Sequence, residues 1–251
     1  MRAGSILSRF HPHPHSVKIE GGALWAEIHR EIEKYDLAMV GGTCSNVGIG
    51  GLVLAGGYGW LTGKYGLACD NLVGVEIVLA NGEIVTASEE ENKDLFWAVR
   101  GAGMAFGIVT TFMLRAFPQK NECWEGSLVF KPGKEVLKVI LGVIERILGQ
   151  ENEEGENAMS MIWRVEGDQE EPSITTTIFH NGPAETGKEF FAPLLAANPL
   201  VNTTSMKYFS ECCGSGEATN SNSSSCNGNF IARKLFKNSS RQRQRSLIGE
   251  D

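Results

Sequence analysis

The stretch GGTCSNVGIGGLVLAGGYGWLTGKYG, residues Gly41–Gly66, holds ten of the chain's 30 glycines in a tenth of its 251 residues. Glycine loses more backbone freedom on folding than any other residue, so a dense cluster must serve a purpose. In an otherwise apolar segment, such density lets the backbone come very close to a bulky partner. A large, flat, phosphate-bearing cofactor fits that need. One cysteine, Cys44, stands at the mouth of the run.

Outward from the run, the pattern is regular from Ser16 to Pro118. Val17 and Ile19 alternate before Gly21-Gly22 breaks the strand. Leu24, Ile28, Ile32 and Tyr35 have helical spacing, which predicts an amphipathic helix over Ala23–Lys34. A short strand, Leu37–Val40, leads into the glycines. Beyond them Val73, Val75, Ile77 and Leu79 alternate, Asn81-Gly82 signals a tight type I′ hairpin, and Ile84–Thr86 returns. Asp94–Arg100 reads as a short helix closed by Gly101. Phe106–Phe117 reads as a strand with Ile108, Thr110, Phe112 and Leu114 on one face. Strands and helices joined by a hairpin predict an α+β unit with a mostly antiparallel sheet, not repeated βαβ units.

Residues 119–210 predict a second, partial α+β domain. Val136, Val139, Ile140, Val143, Ile144 and Ile147 mark a helix. Strands Met159–Val165 and Ile174–Phe179 and a helix over Ala184–Leu195 follow. Residues 211–251 are polar and of low complexity, a composition that cannot offset its ordering entropy, so they are expected to be disordered. Residues 1–15 read as a flexible lead-in. His11, His13 and His15 alternate there with proline; a metal site would need acidic or cysteine partners, and none is near in sequence.

The net charge is −7 and no basic stripe is interleaved with aromatics, which argues against a nucleic-acid partner. No segment approaches the ~20 apolar residues of a membrane span. The start, MRAGSILSRFHPHPHS, lacks the apolar run of a secretory signal. The six cysteines form no CxxC pattern. Reduced thiols in a cytoplasmic compartment are the default expectation, with secretion the alternative if Met1 is not the true start.

The glycine run is not a P-loop, since GxxxxGK[ST] is absent. A Rossmann fingerprint is disfavoured by the hairpin at Asn81-Gly82 and by the missing acidic residue ~20 positions on. A glycine-rich turn with packing duties only would not account for glycines spread so widely. The carrying motifs are GGALW at Gly21–Trp25, VGGTCSNVGIGGLVLAGGYGWLTGKYGLACDN at Val40–Asn71, VEIVLANGEIVTAS at Val75–Ser88 and DLFWAVRGAGMAFGIVT at Asp94–Thr110. In these, Ser16–Pro118 resembles the FAD-binding domain of the vanillyl-alcohol oxidase / p-cresol methylhydroxylase (PCMH) type. It is most similar to berberine-bridge-enzyme-like fungal FAD-linked oxidases. NGPAETGKEFFAPLLAANPLVNTTSM resembles, more weakly, the start of that family's substrate domain.

The resemblance implies an FAD-dependent oxidoreductase. It would move a hydride from a small organic substrate to flavin N5 and be reoxidised by O2, with family substrates ranging from sugars to secondary metabolites. It implies that Gly42, Thr43, Gly48, Gly51, Gly57, Tyr58 and Gly59 lie along FAD, that Asp70 and Asn71 cap the next turn, and that Gly107, Ile108 and Val109 serve the adenine side. Cys44 matches a cysteine that joins C6 of the isoalloxazine as a 6-S-cysteinyl thioether; as an ordinary packing cysteine it would resemble Cys69. Trp60 and Tyr65 are candidates for the substrate face or for the core. The family's RxGGHS-type loop and its C-terminal catalytic base have no counterpart in this sequence, so no catalytic residue is assigned. The rival expectation is a truncated, non-catalytic remnant that binds FAD weakly or not at all.

Overall fold

The structure, a computed structural model, describes residues 7–11, 16–149, 154–164, 172–214 and 230–232. Along the chain the order begins β1 (Leu7–His11), β2 (Ser16–Glu20), α1 (Trp25–Glu33), β3 (Leu37–Ala38), α2 (Ile49–Leu54), α3 (Thr62–Tyr65), β4 (Leu72–Val78), β5 (Ile84–Ser88). Then come α4 (Lys93–Ala102), β6 (Ile108–Arg115), β7 (Phe117–Pro118), β8 (Cys123–Phe130), α5 (Lys134–Leu148), β9 (Asn157–Arg164), β10 (Ser173–His180). Last are α6 (Ala184–Phe190), α7 (Ala192–Ala196), β11 (Val201–Asn202), β12 (Ser205–Lys207), α8 (Phe209–Cys212) and β13 (Phe230–Ala232). Two compact units divide these elements. The first takes Met1–Leu61, Leu67–Cys123 and Lys207–Ser223; the second takes Thr62–Gly66, Trp124–Met206 and Ser224–Asp251.

The first unit is built on a five-stranded sheet in the order β1-β2-β6-β4-β5. Every pairing in it is antiparallel. The α+β class expected from the sequence is the class observed. β1 corrects the reading of residues 1–15 as a flexible lead-in: Leu7–His11 pair with β2, whose Val17 and Ile19 are buried. β2 pairs with β6 along its other edge, so its first edge offers a row of backbone groups that β1 satisfies. His13 and His15 lie outside the described residues.

Two sequence expectations change face. On α1 the buried residues are Trp25, Ile28, His29 and Ile32, while Leu24 and Tyr35 are exposed. The helix therefore buries an i, i+3, i+4, i+7 stripe one position later than Leu24 suggested. On β6, Phe112 and Leu114 are buried as expected, but Val109 is buried in place of Ile108 and Thr110. The cause is a bulge. Glu76 pairs with Thr111 and Ile77 with Val109, which leaves Thr110 as an extra residue and flips the alternation.

The second unit holds a sheet in the order β11-β8-β10-β9-β13, with β12 also on β8. Its core gathers Trp124, Leu128 and Phe130 of β8, Ile140, Val143 and Ile147 of α5, Ile174 and Ile178 of β10, and Phe191 and Leu194. One helix over Ala184–Leu195 was expected; two are observed, meeting at Phe191. Pro193 lacks the N–H that a continuous helix would need there, and it is tolerated only in the first turn of a new one. The predicted domain edge at 118/119 falls instead at Cys123/Trp124, because β7 pairs with β3. Residues 207–214 return to the first unit, so the expectation of a structureless tail from 211 is corrected at Glu211–Gly214. The rest of that tail, apart from β13, lies outside the described residues.

Candidate functional site

The glycine loop is sutured to the start of α1. Trp25 N–H donates to the Val47 carbonyl at 3.0 Å, Ala26 N–H to Ser45 at 3.1 Å, and Ile49 N–H to Ala23 at 3.0 Å. Glu27 accepts the Leu24 N–H at 3.0 Å, which fixes the helix entry. Several glycines have packing reasons of their own. A Cβ on Gly41 would enter the Trp25 ring, and one on Gly42 would meet Leu52 Cδ1 at 2.9 Å. A Cβ on Gly59 would overlap the Gly41 carbonyl oxygen. Gly57 has φ +74° and is closed off by Leu52. Gly56 and Gly57 carbonyls accept the N–H groups of Cys69 and Ala68, each at 2.8 Å, which brings residues 66–71 back against the run.

Gly48 and Gly51 differ from these. A Cβ at either would meet no protein atom within 4 Å, and neither has a left-handed φ. Gly51 also sits inside α2, where glycine is less favourable than alanine by about 1 kcal/mol. Gly48 is the N-cap of α2, a position that suits glycine, whereas at Gly51 neither backbone conformation nor protein packing calls for it. The two glycines leave open space along the loop, in which Thr43 and Cys44 are partly buried. A flat cofactor laid against α2 fits such a surface.

The other predicted positions divide. Tyr58, within the run, is exposed. Asp70 accepts the Leu67 N–H at 3.0 Å, and Asn71 Nδ2 donates to the Leu67 carbonyl at 2.8 Å. Both side chains thus lock the turn before β4. Gly107 has φ +156° and abuts the Val78 carbonyl; Ile108 is exposed and Val109 buried. Trp60 is buried, and its Nε1 donates to the Cys212 carbonyl at 2.9 Å, so it belongs to the first unit's core. Tyr65 lies in α3, within the second unit. Cys69 is buried.

Residues 208–214 were assigned no role from the sequence, yet they close over α1 and the loop. Ser210 donates through N and Oγ to Glu33 at 3.0 and 2.8 Å, and Phe209 meets the His29 ring edge-on at 5.2 Å. Gly214 N–H donates to the Thr43 carbonyl at 2.9 Å. The available signal was Glu211, three residues after Tyr208, whose carboxylate accepts the Tyr208 N–H at 3.0 Å. His29 also stacks on Trp25 at 5.3 Å. Burial drives its imidazole down to about 4; the Gly42 backbone opposes this weakly, without completing a well-formed hydrogen bond. In the second unit, His180 makes 2.8 Å contacts through Nδ1 to Asn157 and Nε2 to Thr186. Burial lowers its pKa, against the opposing charge of Glu156.

An antiparallel α+β unit with a glycine loop that is open at Gly48 and Gly51 can take a cofactor against its backbone. Residues 7–88 match the family model described as FAD binding domain. The FAD-linked oxidoreductase pgmH of Aspergillus terreus is 40% identical over 198 residues, 78% of this chain and 40% of the relative. Among solved structures, 6-hydroxy-D-nicotine oxidase from Arthrobacter nicotinovorans matches with a TM-score of 0.74 at 28% identity, covering 83% of this chain and 46% of that one. Xylooligosaccharide oxidase from Myceliophthora thermophila matches with a TM-score of 0.67 at 31% identity, covering 82% and 43%. This chain carries an FAD-binding domain and is similar to FAD-linked oxidoreductases, and it spans about two fifths of the length of the curated relatives it matches.

Proposed function

We propose that this chain supplies the FAD-binding part, and the beginning of the substrate part, of an oxidase acting on a small organic molecule. FAD, when bound, takes a hydride equivalent from a substrate carbon at N5 and yields its electrons to O2, giving hydrogen peroxide. The chain's own residues position and tune it. The backbone of Gly48 and Gly51 meets the cofactor closely, Thr43 and Gly57–Gly59 border it, and Gly107–Val109 serve the adenine side. Cys44, at the mouth of the glycine loop, forms the thioether to the flavin ring in this reading, a bond that would hold the ring and favour electron acceptance. In the second unit, the β8 and β10 residues Ser127, Thr175 and Thr177 alternate with the core-facing set, and Ser127 and Thr177 are hydrogen-bonded at 3.1 Å. We assign that hydroxyl-bearing face to substrate.

The observation that carries this reading is the open space beside Gly48 and Gly51, where an added Cβ would meet no protein atom within 4 Å. The test is Gly51→Ala in the full chain. Alanine inside α2 should stabilise the protein by about 0.5–1 kcal/mol. The same methyl should weaken FAD binding at least tenfold, read by flavin fluorescence quenching. No FAD binding by the wild-type chain, or equal affinity in Gly51→Ala, would overturn the proposal.

A further inference from the structure

The segment Tyr208–Gly214 holds the glycine run at two places and α1 at two more, all within the first unit. On the run, Gly214 N–H donates to the Thr43 carbonyl at 2.9 Å, and the Cys212 carbonyl accepts Trp60 Nε1–H at 2.9 Å. On α1, Ser210 donates through N and Oγ to the Glu33 carboxylate at 3.0 and 2.8 Å, and Phe209 meets the His29 ring at 5.2 Å. Phe209, Cys212 and Cys213 are buried. A trans peptide points its C=O and its N–H in opposite directions, so the bond to the Thr43 carbonyl also sets the direction of the Cys44 N–H. The segment has little regular structure of its own, a single turn of helix over Phe209–Cys212. A helix that short is not stable alone, so these anchors keep it in place and it opens as one piece.

We propose that Tyr208–Gly214 is a strap whose docking is coupled to FAD binding, an inference that rests on the flavin reading of the loop. The docked strap sets the Thr43–Cys44 peptide and the Trp60 side chain, and so presents the loop in the shape that takes the cofactor. Phe209 and Ser210 grip α1, and they act on the cofactor through the loop. They are positioning residues. Coupling between two sites is reciprocal. A loop that binds FAD well only under the strap makes FAD hold the strap down by the same factor. Ser210 is the more telling reporter, because its N–H is bonded to α1 and not to the glycine run. A cofactor that steadied the run alone would leave the Ser210 N–H untouched.

The test is residue-resolved amide exchange on the full chain, with and without FAD, in wild type, Ser210→Ala and Phe209→Leu. Native circular dichroism is the folding control. Without FAD, Ser210→Ala loses the hydroxyl bond to Glu33 and should speed exchange at Gly214 by about tenfold, with the β4 and β6 amides unchanged. Phe209→Leu, which loses the ring contact to His29, should move Gly214 in the same direction. With FAD at a hundredfold excess over its dissociation constant, wild-type exchange should slow by at least about tenfold at both Ser210 and Gly214, together with residues 41–59. Slowing at 41–59 with none at Ser210 would overturn the strap and leave the flavin assignment intact. Unchanged exchange at Gly214 in both variants would also overturn it, since the segment then does not open as a unit. No slowing at any residue would sink both readings together.

Discussion

His29 carries the clearest consequence at the scale of a single residue. It is enclosed between Trp25 and Phe209, and its folded-state pKa is lowered from 6.5 to about 4 by burial. The folded state therefore favours the neutral ring. Above pH 6.5 its contribution is present in full. As pH falls from 6.5 towards 4, the unfolded chain binds a proton that the folded chain refuses, and stability drops by about 3 kcal/mol. Below 4 both states are protonated and the loss stops. His180, lowered by burial, acts with the same sign in the second unit. Urea midpoints across this range should fall steeply for wild type and less steeply for His29→Phe. Parallel slopes would show that His29 is not the titrating group. Among glycines, Gly59→Ala should cost more than about 2 kcal/mol, because its Cβ has only the Gly41 backbone to move, while Gly48→Ala should lie within about 0.5 kcal/mol of wild type. A thermal scan that ranks the two alike would contradict the division of the loop into packed and open glycines. The sequence showed that glycine was dense here. It could not separate these duties, because Trp25, Leu52 and the Gly41 carbonyl reach the glycines only after the loop folds back.

At the scale of elements, the hairpin between β4 and β5 forms where Asn81-Gly82 predicted it, with Val78 opposite Ile84. Its turn differs from the expected type I′. Gly82 has φ +85° but Asn81 does not have positive φ. Gly82 N–H donates to Leu79, and Leu79 N–H to Glu83, each at 2.9 Å, which is a three-residue loop with a left-handed glycine at its end. Asn81 Oδ1 accepts the Glu83 N–H at 3.0 Å and steadies it. Gly82→Ala should therefore cost about 1–2 kcal/mol through backbone strain alone, since its Cβ would meet nothing within 4 Å. Asn81→Gly should cost less, as it loses one local hydrogen bond. Denaturation curves giving the opposite order would restore the type I′ assignment. The positions of strands and helices were legible because alternation and helical spacing are local. The β6 bulge and the α6–α7 break were not: one depends on pairing with β4, the other on a single proline inside an apolar pattern.

At the scale of the whole molecule, FAD should act as a stabilising ligand of the first unit. At a hundredfold excess over its dissociation constant it should add about 2.7 kcal/mol. Amide exchange should slow across residues 41–59 and at Gly107–Val109, with no such slowing in β8–β10. Slowing confined to β8–β10 would place the cofactor elsewhere. The substrate and the catalytic base were not legible, because a base is recognised by the groups that fold around it and not by a local sequence pattern. The return of residues 207–214 has a consequence for how the chain is made. The first unit is discontinuous: its early segments stop at Cys123, and its closing segment arrives only after Trp124–Met206 of the second unit has been written. Ser210 finds Glu33 across 177 positions. During synthesis, α1 must wait, its His29 face uncovered, until the ribosome has released nearly the whole nested insert.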